Sequence, residues 1–185
     1  MTIRPERPDD ADAVAGVHVR AWQSAYAGIM PAEVLDRLRV PAWAERRRLH
    51  RTADDDATFL TLVATDDADT VVGFVTLGSY RVEQNHEELD PAFGEILAIY
   101  LEPVRVATGV GRELMAAALA ELSRRGYTTV RLWVLEDNHR ARRFYERAGF
   151  KPDGERSTYE IALTNGRGPA RLDEIRYVAS VGPGS

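Results

Sequence analysis

The residues whose types and spacing could do chemistry begin between Glu95 and Gly111, where an apolar run ends at Pro103 and a short loop leads to Gly109-Val110-Gly111. A helix-like pattern follows the second glycine at once. A glycine-bearing turn at a helix start leaves backbone N–H groups free, and these amides and the positive end of the helix dipole both attract an anion. Each such charge contact contributes only about 0.3–1 kcal/mol, so several amides must act together to hold a pyrophosphate. The segment therefore predicts a site for a phosphate-bearing cofactor.

The turn differs from the two commonest phosphate-binding motifs. Arg112 and Glu113 follow the second glycine, where a nucleotide-triphosphate P-loop has a lysine and a serine or threonine. The third glycine of the dinucleotide fingerprint is also missing. On its own, a Gly-x-Gly sequence is equally explained by turn geometry, since glycine adopts positive φ angles at no steric cost. Other residues of the chain are therefore needed to distinguish a plain turn from a binding site.

A second motif starts at Asn138 and carries Ala141 and Tyr145 before it ends at Gly149-Phe150. The spacings of three and four residues place the first three side chains on one side of a helix. Taken alone, the motif favours a helix cap followed by a core-facing aromatic stripe, the usual reason for aromatic residues at helical spacing. The alternative is a binding face.

In this order and at this separation, the two motifs resemble the GNAT superfamily of acetyl-CoA-dependent N-acetyltransferases. The resemblance covers about residues 70–165, and the first quarter of the chain agrees only in its predicted order of elements. It implies that the turn binds the pyrophosphate of coenzyme A through backbone amides, and that the preceding strand splays from its neighbour and pairs with the pantetheine arm. The cofactor-binding residues implied in this way are Ile99, Tyr100, Leu101, Val106, Ala107, Thr108, Gly109, Val110, Gly111, Arg112, Asn138, Ala141 and Tyr145.

The resemblance also implies two catalytic roles. Tyr145 matches the tyrosine that donates a proton to the departing thiolate, and Glu95 matches the carboxylate that serves several members as general base. Each has a structural alternative, namely a core tyrosine with a satisfied hydroxyl and a strand-end carboxylate that faces solvent. Two positions depart from the family pattern, since Val106 stands where Gln or Arg is usual and Ala107 where Gly is frequent. We expect somewhat weaker cofactor affinity from the lost side-chain contact.

The chemistry of acetyl transfer explains why these residue types are needed. An amine attacks a thioester only when it is neutral, and with a lysine-type pKa of about 10.4 its deprotonation near pH 7 costs on the order of 4–5 kcal/mol. A positioned carboxylate removes that proton, directly or through water, and contributes about 10²–10⁴-fold to the rate. A chain with no cysteine and no paired serine and histidine predicts direct transfer in a ternary complex.

The sequence leaves several acceptors open. We expect a primary amine on a small molecule; the alternatives are a protein or peptide N-terminus of the ribosomal-protein type, and a non-catalytic acyl-CoA-binding sensor. Trp22, Tyr26, Trp43 and Tyr80 are candidates for the walls of an acceptor pocket, with core packing as the alternative. The acidic segment at 83–90 predicts either a solvated loop or a field that attracts a cationic amine.

Positioning these residues requires a mixed fold. The predicted strands are 2–5, 58–65, 70–80, 95–101, 128–135, 158–163 and 171–178, and the predicted helices start near Asp10, Pro31, Pro41, Gly109 and Asn138. Residues 81–93 are predicted as a polar loop and residues 165–169 as a turn. This order predicts an α/β domain of the α+β type, with a mixed, mostly antiparallel sheet flanked by helices and, from the resemblance, a splayed central strand pair. With 185 residues, we expect a single domain over 1–185.

The composition narrows the function further. The net charge of −5 and the pI near 5.4 argue against a nucleic-acid binder, which needs a basic face. The absence of cysteine excludes thiolate metal sites, and the histidines lack ligand spacing, so we expect no metal. No apolar run reaches the ~18 residues of a membrane span and the first ten residues lack a signal-peptide core, so we expect a cytoplasmic protein that binds no membrane. Exposed edges on the two C-terminal strands favour a homodimer.

Overall fold

A seven-stranded sheet organises the protein, whose computed structural model describes residues 1–53, 58–163 and 169–182. The strands are Thr2–Pro5 (β1), Phe59–Thr65 (β2), Val71–Arg81 (β3), Leu89–Leu101 (β4), Thr129–Leu135 (β5), Lys151–Ile161 (β6) and Ala170–Ser180 (β7). The helices are Ala11–Ala25 (α1), Ala32–Asp36 (α2), Val40–Ala53 (α3), Val110–Arg124 (α4) and His139–Arg147 (α5). The strand order is β1-β2-β3-β4-β5-β7-β6, and among the described pairs only β4 and β5 run parallel. The predicted mixed, mostly antiparallel sheet with flanking helices is confirmed.

The parallel strands β4 and β5 separate almost at once. They pair only through Gly94 with Val130 and Glu95 with Arg131. Beyond these residues β4 continues beside β3, and β5 continues beside β7. The sheet therefore opens between β4 and β5, as the splayed pair predicted, and the later residues of β4 have no strand partner on that side within the described sheet.

Apolar side chains hold helices against both faces of the sheet. Leu114 of α4 belongs to a buried cluster that includes Leu62 of β2, and Val14 of α1 packs with Val63 and Phe74. Because neighbouring residues of a strand point to opposite faces, Leu62 and Val63 serve different helices. The positions of α1 and α4 beside the opening are thus set by the core. None of the helices in the described ranges combines the length and the apolar character needed to span a bilayer.

Glycines mark three helix ends. Gly126 and Gly149 follow α4 and α5 with φ angles of +93° and +91°, as predicted, and Gly109 precedes α4 with a φ angle of +99°. Glycine reaches this left-handed region without a steric penalty, so these residues fix where the helices start and stop. The start of α1 differs from the prediction. The carboxylate of Asp10 binds Arg4 at 2.6 Å, and no side-chain hydrogen bond caps the helix.

Two strands begin earlier than predicted. β4 starts at Leu89, so only residues 82–88 of the predicted loop lie outside strands, and β6 starts at Lys151 instead of residue 158. Both early segments contain a proline, Pro91 and Pro152, and pair with one neighbouring strand only. A strand paired on one side tolerates proline and polar residues, so the composition of these segments is typical of a loop. Helix α2 is shorter than the predicted 31–39. Residues 165–168 of the predicted turn lie outside the described residues.

Candidate active site

The opening between β4 and β5 forms a cleft of about 1040 Å³. Its walls come from α1, β4, the start of α4, the end of β5, α5 and β7, with single residues added by β3 and β6. The cleft is lined by these residues selected from the sequence: Trp22, Tyr26, Glu95, Ile99, Tyr100, Leu101, Val106, Ala107, Gly109, Gly111, Arg112, Asn138, Ala141 and Tyr145. The fold therefore brings most of the predicted site residues to one place.

One part of the cleft, the turn part, is formed by residues 106–112 at the start of α4. A 3₁₀ turn at Pro103–Arg105 leads into it, and φ angles of +63° at Ala107 and +99° at Gly109 direct the chain into the helix. The amide N–H groups of Ala107, Gly109, Val110 and Gly111 have no hydrogen-bond partner among the described residues. Free amides at the positive end of a helix form a site for an anion.

Two residues of the turn part maintain its shape. The Oγ1 of Thr108 donates a hydrogen bond to the carbonyl of Arg105 at 2.6 Å, and the side chain of Val110 is 6% exposed and packs in the core. Neither side chain lines the cleft, so a ligand contact from Val110 is left to its backbone amide. Arg112 does line the cleft and brings a cation next to the free amides.

Asn138 caps α5. Its Oδ1 accepts a hydrogen bond from the backbone N–H of Ala141 at 3.1 Å, and the residue is 9% exposed. The helix cap expected from the motif is confirmed. The cap uses only the oxygen of the carboxamide, which leaves its nitrogen as a donor for another partner.

Tyr145 is held by aromatic packing and lines the cleft. Its ring meets Phe144 and Phe150 in edge-on contacts, with centroids 5.4 and 6.2 Å apart. No described group forms a hydrogen bond with its hydroxyl. Burial raises the pKa of Tyr145, and the neighbouring Tyr100 adds to the rise. A phenol with a raised pKa stays protonated at neutral pH, so this hydroxyl carries its proton in the cleft.

Glu95 lies where β4 and β5 separate and is 1% exposed. Arg81 engages both carboxylate oxygens, because its Nη2 donates to Oε1 at 2.8 Å and its Nε donates to Oε2 at 3.1 Å. The backbone N–H of Arg81 donates to Oε2 at 2.9 Å. The alternative of a strand-end carboxylate that faces solvent is therefore wrong. Glu95 is a buried, paired carboxylate on the cleft wall, and its role as a base stays a prediction.

A second carboxylate, Glu174 of β7, lines the cleft and was missed by the sequence analysis. It is 9% exposed and accepts a hydrogen bond from Nε2 of Gln84 at 2.6 Å. Burial raises the pKa of Glu174 and Glu95 adds to the rise, whereas the Gln84 hydrogen bond and Arg81 oppose it. One sequence feature could have indicated it. Leu172, two residues earlier, packs against an apolar cluster, and residues two apart in a strand lie on the same face. We call Arg81, Gln84, Glu95 and Glu174 the carboxylate part of the cleft.

Aromatic residues of α1 and β4 form another wall. The hydroxyls of Tyr26 and Tyr100 lie 3.1 Å apart, and the ring of Trp22 packs edge-on against Tyr26 with centroids 5.2 Å apart. Burial raises the pKa of Tyr26, and its interactions with Tyr100, Tyr145 and Glu174 add to the rise. The Tyr26 phenol is therefore within electrostatic reach of both Tyr145 and Glu174.

His18 lies next to this wall. Its ring stacks on Tyr100 with centroids 4.9 Å apart and packs against Trp43 at 4.2 Å, and neither ring nitrogen has a partner among the described residues. Burial lowers the pKa of His18 to about 3, with Arg47 and Arg46 adding to the effect. The imidazole is therefore neutral at pH 7 and presents a flat surface to its neighbours.

Tyr80 lies outside the cleft, which corrects the expectation that it forms an acceptor wall. The residue is 4% exposed, its hydroxyl accepts a hydrogen bond from Nη1 of Arg176 at 3.1 Å, and Arg131 lies 4.8 Å from its ring centroid. The register between β3 and β4 shifts between Ser79 and Tyr80. Such a bulge re-aims the side chains that follow it.

The acidic segment at 83–90 contributes no carboxylate to the cleft. Glu83, Glu87 and Glu88 are exposed and do not line the cleft, which favours the solvated-loop interpretation. The described residues also bring no three His, Asp or Glu side chains into a group that could hold a metal ion.

Comparison with known proteins points to one family. A family model described as the acetyltransferase (GNAT) family matches residues 20–150, a range that contains Glu95, the turn part and Tyr145. The uncharacterised N-acetyltransferase YuaI of Bacillus subtilis (strain 168) is 30% identical over 138 residues, which cover 75% of this chain and 73% of the relative.

Two further proteins extend the comparison. The mycothiol acetyltransferase of Rhodococcus erythropolis (strain PR4) is 34% identical over 153 residues, which cover 81% of this chain and 46% of that protein. The chain therefore spans about half the length of this relative. The crystal structure of the PaiA N-acetyltransferase from Thermoplasma acidophilum in complex with coenzyme A superposes with a TM-score of 0.70 at 21% identity, over 97% of this chain and 99% of that chain. The superposition shows a shared fold.

Proposed function

The chain belongs to the acetyltransferase (GNAT) family, as its two motifs predicted, and we propose that it transfers the acetyl group of acetyl-CoA to a primary amine on a small molecule. Membership makes the protein an acyltransferase; the donor, the amine and direct transfer in a ternary complex are the proposal. The observation that carries it is the run of free amides at the start of α4, in a cleft that also holds two carboxylates and a tyrosine.

The turn part fits the pyrophosphate of coenzyme A. Four amides without a protein partner match a group with several anionic oxygens, and Arg112 adds a positive charge. The free edge of β4 at Ile99 and Leu101 supports main-chain pairing with the pantetheine amides, and Asn138 supplies a further donor. When bound, acetyl-CoA supplies the thioester that is to be attacked.

Tyr145 is the proposed proton donor to the leaving thiolate. Its hydroxyl lines the cleft, has no described protein partner and stays protonated at neutral pH because burial raises its pKa. A proton delivered to the sulfur as the C–S bond breaks neutralises the negative charge that develops there, which assists departure of the thiol. Helix α5 holds the phenol in place through the packing of its ring.

A carboxylate is proposed to take the proton of the amine. Two carboxylates line the cleft: Glu95, which the sequence predicted, and Glu174, which only the structure reveals. Proton removal by either, directly or through water, is worth about 10²–10⁴-fold in rate.

A small-molecule acceptor is favoured over a peptide by the relatives named mycothiol acetyltransferase, although the chain spans only part of their length. A peptide N-terminus and a non-catalytic acyl-CoA sensor are the competing functions. Assays that compare short peptides with small amines distinguish a peptide acceptor from a small-molecule acceptor. A protein that binds acetyl-CoA but never releases coenzyme A would be a sensor.

The proposal is tested by binding and turnover of the wild-type chain and one variant. Calorimetry should detect acetyl-CoA binding, and a thiol assay should detect coenzyme A release in the presence of an accepted amine. Tyr145→Phe should lower turnover by about 10²-fold or more and leave the acetyl-CoA Kd unchanged. Tyr127→Phe is the matched control, since Tyr127 bonds Ser79 at 2.7 Å and does not line the cleft. Absence of acetyl-CoA binding at millimolar concentration would overturn the proposed function.

A further inference from the structure

The carboxylate part of the cleft holds one negative charge more than it holds positive charges. Arg81 neutralises Glu95 through its guanidinium, whereas Glu174 receives only the neutral amide of Gln84 among the described residues. A buried carboxylate without a counterion is unfavourable. The partner that this arrangement lacks is a cation from outside the chain.

The groups around Glu174 leave it with an increased affinity for a proton. Those within electrostatic reach are Arg81 of β3, Glu95 and Tyr100 of β4, Tyr26 directly after α1, and Tyr159 of β6. Arg81 lowers the pKa of Glu174, while burial and Glu95 raise it. Burial raises the pKa of each of the three tyrosines, so they are neutral at pH 7 and add no charge.

The walls around this carboxylate are flat and apolar. Tyr26, Met30 and Tyr159 line the same cleft as Glu174, and Trp22 packs on Tyr26. Tyr159 pairs with Leu172, which lies two residues before Glu174 on the same strand. Aromatic faces and a thioether favour a planar carbon skeleton over a polyhydroxylated or anionic one. A ligand that fills this space would therefore place its carbon skeleton against the apolar walls and its cationic group next to the Glu174 carboxylate.

We propose that Glu174 binds the ammonium group of the acceptor and takes its proton, and that the acceptor is a primary amine carried on an aromatic or similarly flat apolar group. This inference rests on the proposed acetyl transfer and names its substrate class. Glu95 then acts as a positioning residue that holds Arg81, and the role expected for it from the sequence passes to Glu174.

The proton and electron changes balance in this assignment. The ammonium gives one proton to the Glu174 carboxylate, and the neutral nitrogen uses its lone pair to form a C–N bond with the thioester carbonyl carbon. The C–S bond breaks, the sulfur leaves with the bonding pair, and the Tyr145 phenol protonates it. The second proton lost by the nitrogen returns to the tyrosinate through solvent, and Glu174 releases its proton to solvent with the product.

The first experiment measures kcat/KM against pH with acetyl-CoA and benzylamine. In the wild type, activity should fall as the pH drops through the pKa of Glu174, because a protonated carboxyl cannot accept the amine proton. We call this fall in kcat/KM at low pH the acidic limb. In Glu174→Gln, kcat/KM should be lower by about 10²-fold or more and the acidic limb should be absent. In Gln84→Leu, the limb should move to higher pH, because the hydrogen bond that lowers the pKa of Glu174 is gone. Persistence of the limb in Glu174→Gln would overturn the assignment.

Two further variants separate Glu174 from Glu95 and from general charge effects. Arg81→Met combined with Glu95→Leu removes both members of the ion pair without leaving a buried charge, and the limb should persist because the two groups act on Glu174 in opposite directions. Glu160→Gln is the matched control, since Tyr159 lines the cleft and the next residue of β6 points to the other face. Loss of the limb with the double variant would return the base role to Glu95.

Substrate class is tested with a panel of amines. Benzylamine and phenethylamine should exceed ethanolamine in kcat/KM by tenfold or more. 4-(Aminomethyl)benzoate should be poorer than benzylamine, because its carboxylate lies at the far end of the ring from the ammonium and would be buried against the apolar walls. A preference for ethanolamine or for the benzoate, or no acetylation of any arylalkylamine by a protein that binds acetyl-CoA, would overturn the class.

A second measurement does not depend on acetyl-CoA. In protein with ¹³C-labelled glutamate, the carboxyl signal that disappears in Glu174→Gln is titrated with and without saturating benzylamine. The ammonium should lower the apparent pKa of Glu174, because it favours the ionised carboxylate. An unchanged titration overturns the inference even if acetyl transfer is established, whereas a lowered pKa in a protein that binds no acetyl-CoA supports the amine site and refutes only the transfer.

Discussion

Asn138 has one observed function and one proposed function, and different atoms of its side chain carry them. Its oxygen caps α5, and its nitrogen is the proposed donor to coenzyme A. Asn138→Asp keeps the cap oxygen and removes the donor, so the free energy of unfolding should stay within about 0.5 kcal/mol while the acetyl-CoA Kd rises about tenfold, the equivalent of one lost hydrogen bond. Denaturant unfolding and calorimetry check the two quantities.

Asn138→Ala provides the contrast, because it loses both functions. It should lower the free energy of unfolding by about 1 kcal/mol and weaken acetyl-CoA binding as well. An unchanged Kd in the aspartate variant would reduce Asn138 to a helix cap.

His18 makes the stability of the protein depend on pH in a predictable direction. Its folded pKa of about 3 lies below the ordinary value of 6.5, so between these values the unfolded chain binds a proton that the native chain does not. The free energy of unfolding should therefore fall as the pH drops from 6.5 towards 3, with a contribution of at most about 1.4 kcal/mol per pH unit.

The variant His18→Phe isolates this contribution from that of the carboxylates. It keeps a flat ring in the contact with Tyr100 and should flatten the dependence of unfolding free energy on pH, as measured by urea titrations at pH 4, 5, 6 and 7. His139→Gln, at an exposed position, should retain the wild-type slope. Equal slopes for wild type and His18→Phe would show that His18 titrates normally.

At the scale of elements, the turn before α4 contains a strained residue. Ala107 has a φ angle of +63°, which costs a residue with a Cβ about 1–2 kcal/mol. Ala107→Gly removes this strain, and the greater freedom of glycine in the unfolded chain offsets part of the gain. We expect a net stabilisation of about 0.5–1 kcal/mol in denaturant unfolding.

The control for this prediction lies in the same element. Ala120 is exposed in the middle of α4, where the backbone is right-handed, and Ala120→Gly should destabilise the protein by about 1 kcal/mol. A destabilising Ala107→Gly would mean that the side chain of Ala107 makes contacts that outweigh its strain.

The elements differ in how far sequence alone predicts them. The Gly109 turn and the Asn138 cap follow local rules, because a positive φ angle and a free helix N-terminus each select particular residue types, and both are found as predicted. The early starts of β4 and β6 depend on pairing with a distant strand, which a segment rich in proline and charge does not reveal.

The site divides in the same way. The turn part and Tyr145 carry recognisable motifs, whereas the carboxylate part depends on contacts across the fold. Gln84 and Glu174 are 90 residues apart in sequence and meet only because the segment after β3 lies next to β7. No local pattern encodes that contact, and the Arg81 guanidinium that occupies Glu95 is invisible to motif analysis for the same reason.

At the scale of the whole molecule, the edges of the sheet bear on oligomeric state. One edge of the sheet is the four-residue strand β1. The sequence favours a homodimer on the premise that both C-terminal strands expose edges, but β7 lies between β5 and β6, so of these two strands only β6 is an edge. That edge carries Lys151 and Glu155 and is interrupted by a register shift after Pro152, features that discourage pairing with another chain. Light scattering should therefore give the mass of one 20.6 kDa chain. Twice that mass would support the homodimer through another surface.

The split sheet also predicts where a ligand changes the dynamics of the molecule. In the free protein, the amides of Ala107, Gly109, Val110 and Gly111 should exchange with solvent hydrogen rapidly, because they have no partner among the described residues. Saturating acetyl-CoA should slow them at least tenfold and stabilise the fold by about 2.7 kcal/mol at a hundred times its Kd. The β1–β2 pair, which does not border the cleft, serves as internal control for local protection. Protection by coenzyme A but not by inorganic phosphate would show that the turn acts together with the free edge of β4; no protection at these four amides would remove the turn from the cofactor site.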